Sequence, residues 1–151
     1  MGRQLIRLII DSDIKHVYFI ATAVEAVCNH LSLSADTVFG IKLSVVEAVN
    51  NSIIHAYGNE TGHEVEVVLT MNTDRMQISI CDSGHSMNPD ILSDSCDLTA
   101  SADVESIEDA KISGRGFSLI KELMDAVSYE TNGGKNCLIM TTRKTEQETA
   151  F

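Results

Sequence analysis

The sequence contains no tryptophan and only one proline in 151 residues. So little proline is consistent with long helices and few rigid loops. No stretch approaches 18 consecutive apolar residues, so no membrane span is expected. The apolar run at the start of the chain is short and is broken by Arg7, which argues against a signal peptide. We therefore expect a cytoplasmic protein that does not interact with a membrane.

Basic residues are also scarce. The chain has 11 Lys and Arg residues and 22 Asp and Glu residues, so its formal net charge is −11. Direct binding of DNA or RNA is not expected, because neutralising phosphates requires clustered Lys and Arg. An acidic chain could instead associate with a basic protein surface, or the charge could serve solubility alone.

The four cysteines are widely spaced and form no CxxC pair. No histidine stands beside them at ligand spacing, so a zinc site is not expected. Cys28, Cys81 and Cys137 lie in apolar runs, and we expect them to be buried free thiols.

Length and composition indicate one globular domain over residues 1–151. The apolar share is 44%, and chains of this length bury a sizeable core without disulfides or metals. We see no repeat and no domain boundary.

Two helices are predicted after a first strand at Gln4–Ile10. Asp11, Ser12 and Asp13 supply capping side chains for the first helix, and Ser34 caps a second helix that runs to about Ala56. The first helix has an apolar stripe at a helical period: Ile14, Val17, Tyr18, Ala21, Val24, Cys28 and Leu31. In the second helix, the positions expected to face inward are Val38, Ile41, Val45, Ala48 and Ser52.

Alternation with a period of two predicts strands at Glu64–Met71 and Arg75–Asp82. Asp82 falls on the same face as the apolar residues of its strand. A carboxylate on the core face must find a partner there, because burying it unpaired is costly.

Periodicity then disappears from Ser83 to Ser113, a length that favours disorder or a functional lid. A third helix is predicted to begin near Arg115, with Phe117, Ile120, Leu123 and Met124 inward. A closing pair of strands, Val127–Thr131 and Cys137–Arg143, flanks the turn residues Asn132, Gly133 and Gly134.

Three polar clusters could carry chemistry. In the second helix, Glu47, Asn51 and His55 are spaced four residues apart and form one stripe. The stripe could be an ordinary exposed face, or Asn51 could bind Mg²⁺ while Glu47 handles a proton.

The second cluster is Asp82-Ser83-Gly84, in which the carboxylate could accept a hydrogen bond from an adenine amino group and Gly84 could admit the ring. The same residues could form a plain turn. The third, Gly114-Arg115-Gly116, opens a helix, where backbone N–H groups favour phosphate. A capped helix after a flexible loop is the alternative for that cluster.

The order and spacing of the three clusters resemble the GHKL (histidine kinase-like) ATPase family across nearly the whole chain. The segment Glu47 to Tyr57 (EAVNNSIIHAY) resembles its N box, and Asp82-Ser83-Gly84 its first glycine box. Gly114-Arg115-Gly116-Phe117 resembles the second box, and the following run to Leu123-Met124-Asp125 is similar to the anti-sigma factor serine/threonine kinase branch.

This resemblance implies the Bergerat fold, a two-layer α/β sandwich with helices on one face of a mixed, mostly antiparallel sheet, and an ATP lid at about 85–113. It also implies ATP and Mg²⁺ as cofactors, with Asn51 on the metal, Glu47 as catalytic base and Asp82 reading adenine. The implied nucleotide contacts are Asn51, Asp82, Gly84, Gly114, Arg115, Gly116 and Phe117.

The chain departs from the family pattern at three places. Ser86 stands where the family usually has glycine. The lid from Pro89 to Lys111 holds seven acidic residues and one basic residue, Lys111. Lys135-Asn136 replaces the usual Gly-Thr before the last strand, where the threonine often supports the adenine site.

The function implied is an ATP-dependent kinase of a serine on a small anti-anti-sigma (STAS-type) protein, which also sequesters a sigma factor and forms a homodimer. One alternative is a switch kinase that binds no sigma factor, and another is a sequestration module with weak or absent catalysis. A sensor histidine kinase is disfavoured, because no helical pair with a phosphoacceptor histidine precedes the first strand.

Overall fold

The computed structural model describes residues 2–88, 90–93 and 116–144. Five strands occupy Gln4–Asp11 (β1), Glu64–Met71 (β2), Arg75–Asp82 (β3), Ala126–Asn132 (β4) and Lys135–Arg143 (β5). The helices are Val17–His30 (α1), Ala35–Asn51 (α2), Asp90–Ser93 (α3) and Gly116–Leu123 (α4). A 3₁₀ turn, Ile14–His16, precedes α1, and a π-helical turn, Ser52–Ala56, extends α2. The predicted elements are confirmed, with boundaries within one or two residues.

The strands form one sheet in the order β1-β2-β3-β5-β4, and all four pairings between these strands are antiparallel. β4 and β5 are joined by a hairpin whose two glycines, Gly133 and Gly134, have φ of 59° and 80°. Two successive positive φ values are typical of the type I′ turn, which matches the twist of the paired strands. The sheet lies in the predicted two-layer α/β arrangement.

The helix layer covers one face of the sheet. Alternate residues of the central strands point into the core, as the period-two pattern predicted. The fully buried ones include Val65, Val67 and Leu69 on β2, Met76, Ile78 and Ile80 on β3, and Met140 on β5. Burial of each such side chain stabilises the fold by about 1.5–3 kcal/mol.

Both predicted caps are present. Asp13 accepts a hydrogen bond from the Lys15 backbone N–H (3.0 Å), and Ser34 Oγ accepts one from Thr37 N (3.2 Å). The stripe predicted for α1 was wrong at its start: Ile14 and Tyr18 are exposed, Tyr18 by 73%, while Ile20 is buried. The 3₁₀ turn changes the angular spacing before Val17, so the α-helical period does not extend back to Ile14.

The helical segment Ala35–Ala56 is long and apolar enough to cross a membrane by length and composition alone. Half of its most apolar window is buried inside the protein, where α2 packs against α1 and α4. A core helix passes the same test. Its apolar residues are therefore explained by the core.

The expectation of free thiols at Cys81 and Cys137 was wrong. The two residues are direct partners in the β3–β5 register and are joined by a disulfide, with a Cα–Cα distance of 4.2 Å. They lie 56 residues apart in sequence, so only the strand order brings them together. In the chain-entropy account, closing a loop of that size stabilises by about 4 kcal/mol. Cys28 is a buried free thiol, as predicted.

Part of the predicted lid is helical. α3 occupies Asp90–Ser93, within the segment in which no periodicity was found. Residues 85–88 of the predicted lid are also described, whereas Pro89 and residues 94–113, with Cys96, lie outside the described residues, as do Gly114 and Arg115.

Candidate functional site

Asp82 is the centre of the candidate site. It ends β3 on the helix-covered face and is only 8% exposed. Its Oδ1 accepts hydrogen bonds from Asn136 Nδ2 (2.9 Å) and from the Gly84 backbone N–H (3.1 Å). Its Oδ2 accepts no hydrogen bond from the described residues. The carboxylate is thus held through one oxygen and presents the other, which is the arrangement needed to accept a hydrogen bond from an amino group.

Asn136 supplies the partner that a buried Asp82 requires. It is 2% exposed and sits opposite Asp82 in the β3–β5 register. Its Nδ2 also donates to the Gly84 carbonyl (3.0 Å), and its Oδ1 accepts from Thr131 Oγ1 (2.9 Å). All its amide groups are occupied within the protein, so Asn136 positions Asp82 and Gly84.

Gly84 brings the end of β3 against the end of α2. A Cβ at this residue would overlap the Ala56 carbonyl and lie 2.9 Å from the Ala56 Cβ. The next residue, His85, donates its N–H to the same carbonyl (2.9 Å). Only glycine permits this approach. The first and second of the predicted polar clusters are therefore adjacent in space.

Tyr57 links the residue after β3 to the start of β2. Its hydroxyl donates to the Glu64 carbonyl (2.6 Å) and accepts from the Ser83 N–H (2.8 Å), and its ring stacks on His63 at 4.6 Å. Burial raises the pKa of Tyr57 above its usual value. The tyrosine is therefore a neutral hydroxyl at physiological pH, and it can both donate and accept.

The second half of α2 holds unpaired polar atoms. Ser44 Oγ, Asn50 Oδ1 and Asn51 Nδ2 are buried and make no hydrogen bond in the described part of the chain. Such atoms cost free energy unless a ligand or water satisfies them. The Asn51 carboxamide is thus uncommitted, and amide oxygens are ligands that magnesium accepts. The Asn51 amide oxygen, which makes no hydrogen bond within the described residues, fits a magnesium ligand, while its Nδ2 is left to donate to an acceptor.

Glu47 lies one helical turn before Asn51 and is half-buried. It forms no ion pair or hydrogen bond with residues of the described ranges. An unpaired carboxylate on the stripe shared with Asn51 can accept a proton from a substrate. Within the same ranges, no group of three or more His, Cys, Asp or Glu side chains could hold a metal by itself. A metal at Asn51 would therefore need further ligands from outside this set, such as water or a bound ligand.

The helix turn after Asn51 differs from the sequence expectation. Tyr57 N donates to the Ser52 carbonyl (3.1 Å), an i→i+5 bond, so Ser52–Ala56 is π-helical. Turns of this kind are often found at functional sites. His55 is rotated away from the predicted stripe and becomes exposed. It contributes to a cavity of about 500 Å³ whose lining includes His55, Tyr57, Glu60, His63, Gly84 and His85. Neither Asn51 nor Asp82 lines that cavity.

Gly116 begins α4, which packs along α2. The end of α4 lies beside the start of α2, since a Cβ on Gly40 would be 3.8 Å from the Leu123 Cβ. Just after α4, the Asp125 N–H donates to the Thr141 carbonyl, at the end of the sheet far from Asp82. α4 is thus antiparallel to α2, with its N-terminus directed toward Glu47 and Asn51. Phe117 is buried in the core.

Of the site residues predicted from sequence, Asp82 and Gly84 lie together, and Gly84 packs against Ala56, at the end of the helical segment that carries Glu47 and Asn51. Gly114 and Arg115 lie outside the described residues. From the sequence, Asn136 was noted only as a departure from the family pattern, and neither Asn50 nor the bridging role of Tyr57 was predicted. Period-two alternation along β5 places Asn136 on the core face beside Asp82, and this signal could have identified it.

Comparison with known proteins identifies a family. Residues 10–142 match the family described as the histidine kinase-like ATPase domain. An anti-sigma F factor of Oceanobacillus iheyensis is 32% identical over 126 residues, which cover 83% of this chain and 82% of that protein. The serine/threonine-protein kinase BtrW of Bordetella bronchiseptica is 30% identical over 128 residues, covering 80% and 84%.

A similar fold is found in a crystal structure of the RsbU and RsbW domains of a Mycobacterium tuberculosis protein. The TM-score is 0.65 at 10% identity, and the match covers 97% of this chain and 35% of that one. At this identity the match supports a similar fold and nothing further. The α+β architecture predicted from sequence is confirmed.

Proposed function

This chain belongs to the histidine kinase-like ATPase domain family, in its anti-sigma kinase branch, and on that premise we propose a specific reaction for it. As a protein serine/threonine kinase, it transfers the γ-phosphoryl group of ATP to a serine of a small anti-anti-sigma (STAS-type) protein. In its other state it sequesters a sigma factor, and phosphorylation of the STAS protein restores that sequestration.

The observation that carries the proposal is the half-committed carboxylate of Asp82. One oxygen is held by Asn136 and Gly84, and the other accepts no hydrogen bond from the described residues, at the strand end that abuts the helix bearing Glu47 and Asn51. A buried carboxylate held in this way suits an exocyclic amino group such as that of adenine. The proposal therefore assigns the adenine to Asp82.

Each remaining residue has a proposed task in the transfer. Glu47 accepts the proton of the attacking serine hydroxyl, and Asn51 holds magnesium through its amide oxygen. Magnesium bound with ATP neutralises charge on the phosphates. The N-terminus of α4 at Gly116 favours phosphate oxygens through its free N–H groups. Gly114, Arg115 and Phe117 are proposed as nucleotide contacts from the resemblance alone.

The decisive experiment incubates the protein with labelled ATP, magnesium and candidate STAS proteins. We expect label on one serine of the partner, and none when that serine is changed to Ala. Glu47→Gln should slow transfer by about 10²-fold or more, since positioned bases contribute 10²–10⁴. ADP affinity should stay within about twofold of that of the unchanged protein. Transfer at the normal rate by this variant would remove Glu47 from the mechanism.

A second candidate is a sequestration module with little catalysis. It is favoured by the acidic segment 89–111, in which seven carboxylates outnumber the single lysine and would repel nucleotide phosphates. Calorimetric titration with Mg-ATP separates the two, because no heat at millimolar nucleotide would support the module. A kinase that binds no sigma factor would transfer phosphate normally and fail in a pull-down with sigma factors.

A homodimer is proposed through the edge of β1. Within the described part of the chain, β1 pairs only with β2, so its outer edge has free N–H and C=O groups. Leu5 and Ile9 on this strand and Phe19 on α1 are large exposed apolar residues. Two copies of one strand can pair antiparallel about a twofold axis. Light scattering should give twice the monomer mass, and Ile9→Lys should shift it to the monomer mass. An unchanged mass for this variant would place the interface elsewhere.

The cytoplasm is the proposed location, since both proposed partners of the kinase act there.

A further inference from the structure

The disulfide between Cys81 and Cys137 lies on the open face of the sheet, opposite the helices. Along β3, Met76, Ile78 and Ile80 face the core, so Cys81 points to the other side. Cys81 is 4% exposed, whereas Cys137 is half-buried. The Lys135–Glu66 ion pair (3.2 Å) joins β5 to β2 on this face and passes over β3. A soluble reagent therefore reaches Cys137 more readily than Cys81.

The next residue pair along the same two strands is Asp82 and Asn136. The disulfide thus links the backbones of β3 and β5 one residue before the hydrogen bond that holds the Asp82 carboxylate. Reduction removes this covalent link, and the two thiols, which need more room than two bonded sulfurs, then rotate apart or shift the strands at this register. The 2.9 Å hydrogen bond from Asn136 Nδ2 to Asp82 Oδ1 is the contact of the site that a shift at this register would lengthen first.

We propose that Cys81 and Cys137 form a reversible redox site that sets the nucleotide affinity of the kinase. The inference rests on the proposed nucleotide site at Asp82. The disulfide form holds Asp82 and Asn136 in binding geometry, and the dithiol form loosens them. Disulfides in reducing compartments are usually transient and redox-sensing, which suits this placement.

The chemistry is thiol–disulfide exchange with a low-molecular-weight disulfide of the glutathione disulfide class. The Cys137 thiolate attacks one sulfur of that disulfide, forming a mixed disulfide and releasing one thiol. The Cys81 thiolate then attacks the Cys137 sulfur, forming the Cys81–Cys137 bond and releasing the second thiol. The protein loses two electrons and two protons, and the small disulfide is reduced to two thiols.

Cys28 provides an internal contrast. It is fully buried in the core, and burial together with the charge of Glu25 raises the pKa of its thiol to about 11. Such a thiol carries almost no thiolate at neutral pH and does not exchange. Oxidation is therefore directed to the cross-strand pair.

The test uses the full chain with Cys96→Ser, which leaves only the pair and Cys28. The protein is equilibrated with glutathione disulfide or with a phosphine reductant, and disulfides are assigned by peptide mass mapping. ADP affinity is then measured by calorimetry with magnesium. We expect a Cys81–Cys137 bond under oxidation, and about tenfold weaker ADP binding after reduction, the factor corresponding to ~1.4 kcal/mol. The Cys81→Ser, Cys137→Ser double variant should bind ADP like the reduced protein under both conditions.

Three results would overturn the inference: equal ADP affinity in the two verified redox states, failure of the pair to oxidise, or a redox response that persists in the double variant. Absence of ADP binding in every state is a separate outcome. It would refute the proposed nucleotide site itself, and the redox inference with it. If ADP binds equally tightly in both redox states, the proposed function is supported and the redox inference is refuted.

Discussion

Replacing Asn136 by leucine tests how the site is built. The substitution keeps a similar volume in a position that is 2% exposed, but it removes both donors from Asp82 Oδ1 and the Gly84 carbonyl. It also removes the acceptor used by Thr131 Oγ1. Thr131 is exposed and can hydrogen-bond to water instead, so the main loss is of the hydrogen bonds to Asp82 and Gly84.

The magnitude follows from these contacts. A hydrogen bond to a charged group contributes about 1.5–3 kcal/mol, and one to a neutral carbonyl about 0.5–1.5 kcal/mol. We therefore expect Asn136→Leu to lower the free energy of unfolding by about 2–4.5 kcal/mol, the sum of the two ranges. ADP affinity should fall by about tenfold or more, since a loss of 1.4 kcal/mol in the orientation of Asp82 suffices for that factor.

Two further variants sharpen the result. Asn136→Thr introduces the residue usual in the family and keeps one hydroxyl donor. Its ADP affinity should lie between those of the unchanged protein and of Asn136→Leu. Thr142→Val is the matched control, because Thr142 is a buried polar residue on the same face of β5 at the far end from Asp82. It should leave ADP affinity unchanged.

The measurements are calorimetric titration with Mg-ADP and urea unfolding on the same samples. Asn136→Leu protein that is folded and binds ADP within twofold of the unchanged protein would refute the positioning role. So would an equal loss of affinity in Thr142→Val, because the effect would then reflect general destabilisation.

Three other outcomes are expected. Gly84→Ala should lower the unfolding free energy by about 1–3 kcal/mol and weaken ADP binding, because the new methyl group overlaps the Ala56 carbonyl. Gly40→Ala, which meets only ordinary contacts, is its control, and equal urea midpoints and ADP affinities for the two would contradict the steric argument. Asn51→Leu should abolish phosphoryl transfer yet leave unfolding free energy within about 1 kcal/mol, because Asn51 Nδ2 has no partner to lose; a large loss of stability in urea would show a structural role instead. The Cys28 thiol stays protonated in the folded protein up to its pKa of about 11 but ionises from pH 9 in the unfolded chain. Unfolding free energy should thus fall between pH 9 and 11, by roughly 2–3 kcal/mol at most, and Cys28→Ala should flatten that fall in alkaline urea titrations; an unchanged slope would contradict it.

The strands and helices were predictable because their signals are local. The alternation in Glu64–Met71 and Arg75–Asp82 predicted both the strands and their buried faces, and these bounds are the observed ones. Ser34 could be identified as a cap because capping depends on its own side chain and the following turn. The prediction that Asp82 faces the core and needs a partner there is confirmed.

The errors arose where geometry departs from a regular period. A 3₁₀ turn before α1 left Ile14 off the buried stripe, and a π turn after Asn51 moved His55 off the predicted one. Both turns depend on packing at the ends of the helices, which a period of 3.6 residues does not describe.

What the sequence by itself determined is the set of elements, their buried faces, and the three polar clusters whose order indicates the family. What only the tertiary structure decided is which distant residues meet: Asp82 with Asn136, 54 residues apart, and Cys81 with Cys137, 56 residues apart. Both pairs exist because β5 lies beside β3 in the sheet. Side-chain periodicity depends on near neighbours along the chain, whereas strand order depends on how the whole core is packed, and no local pattern records it.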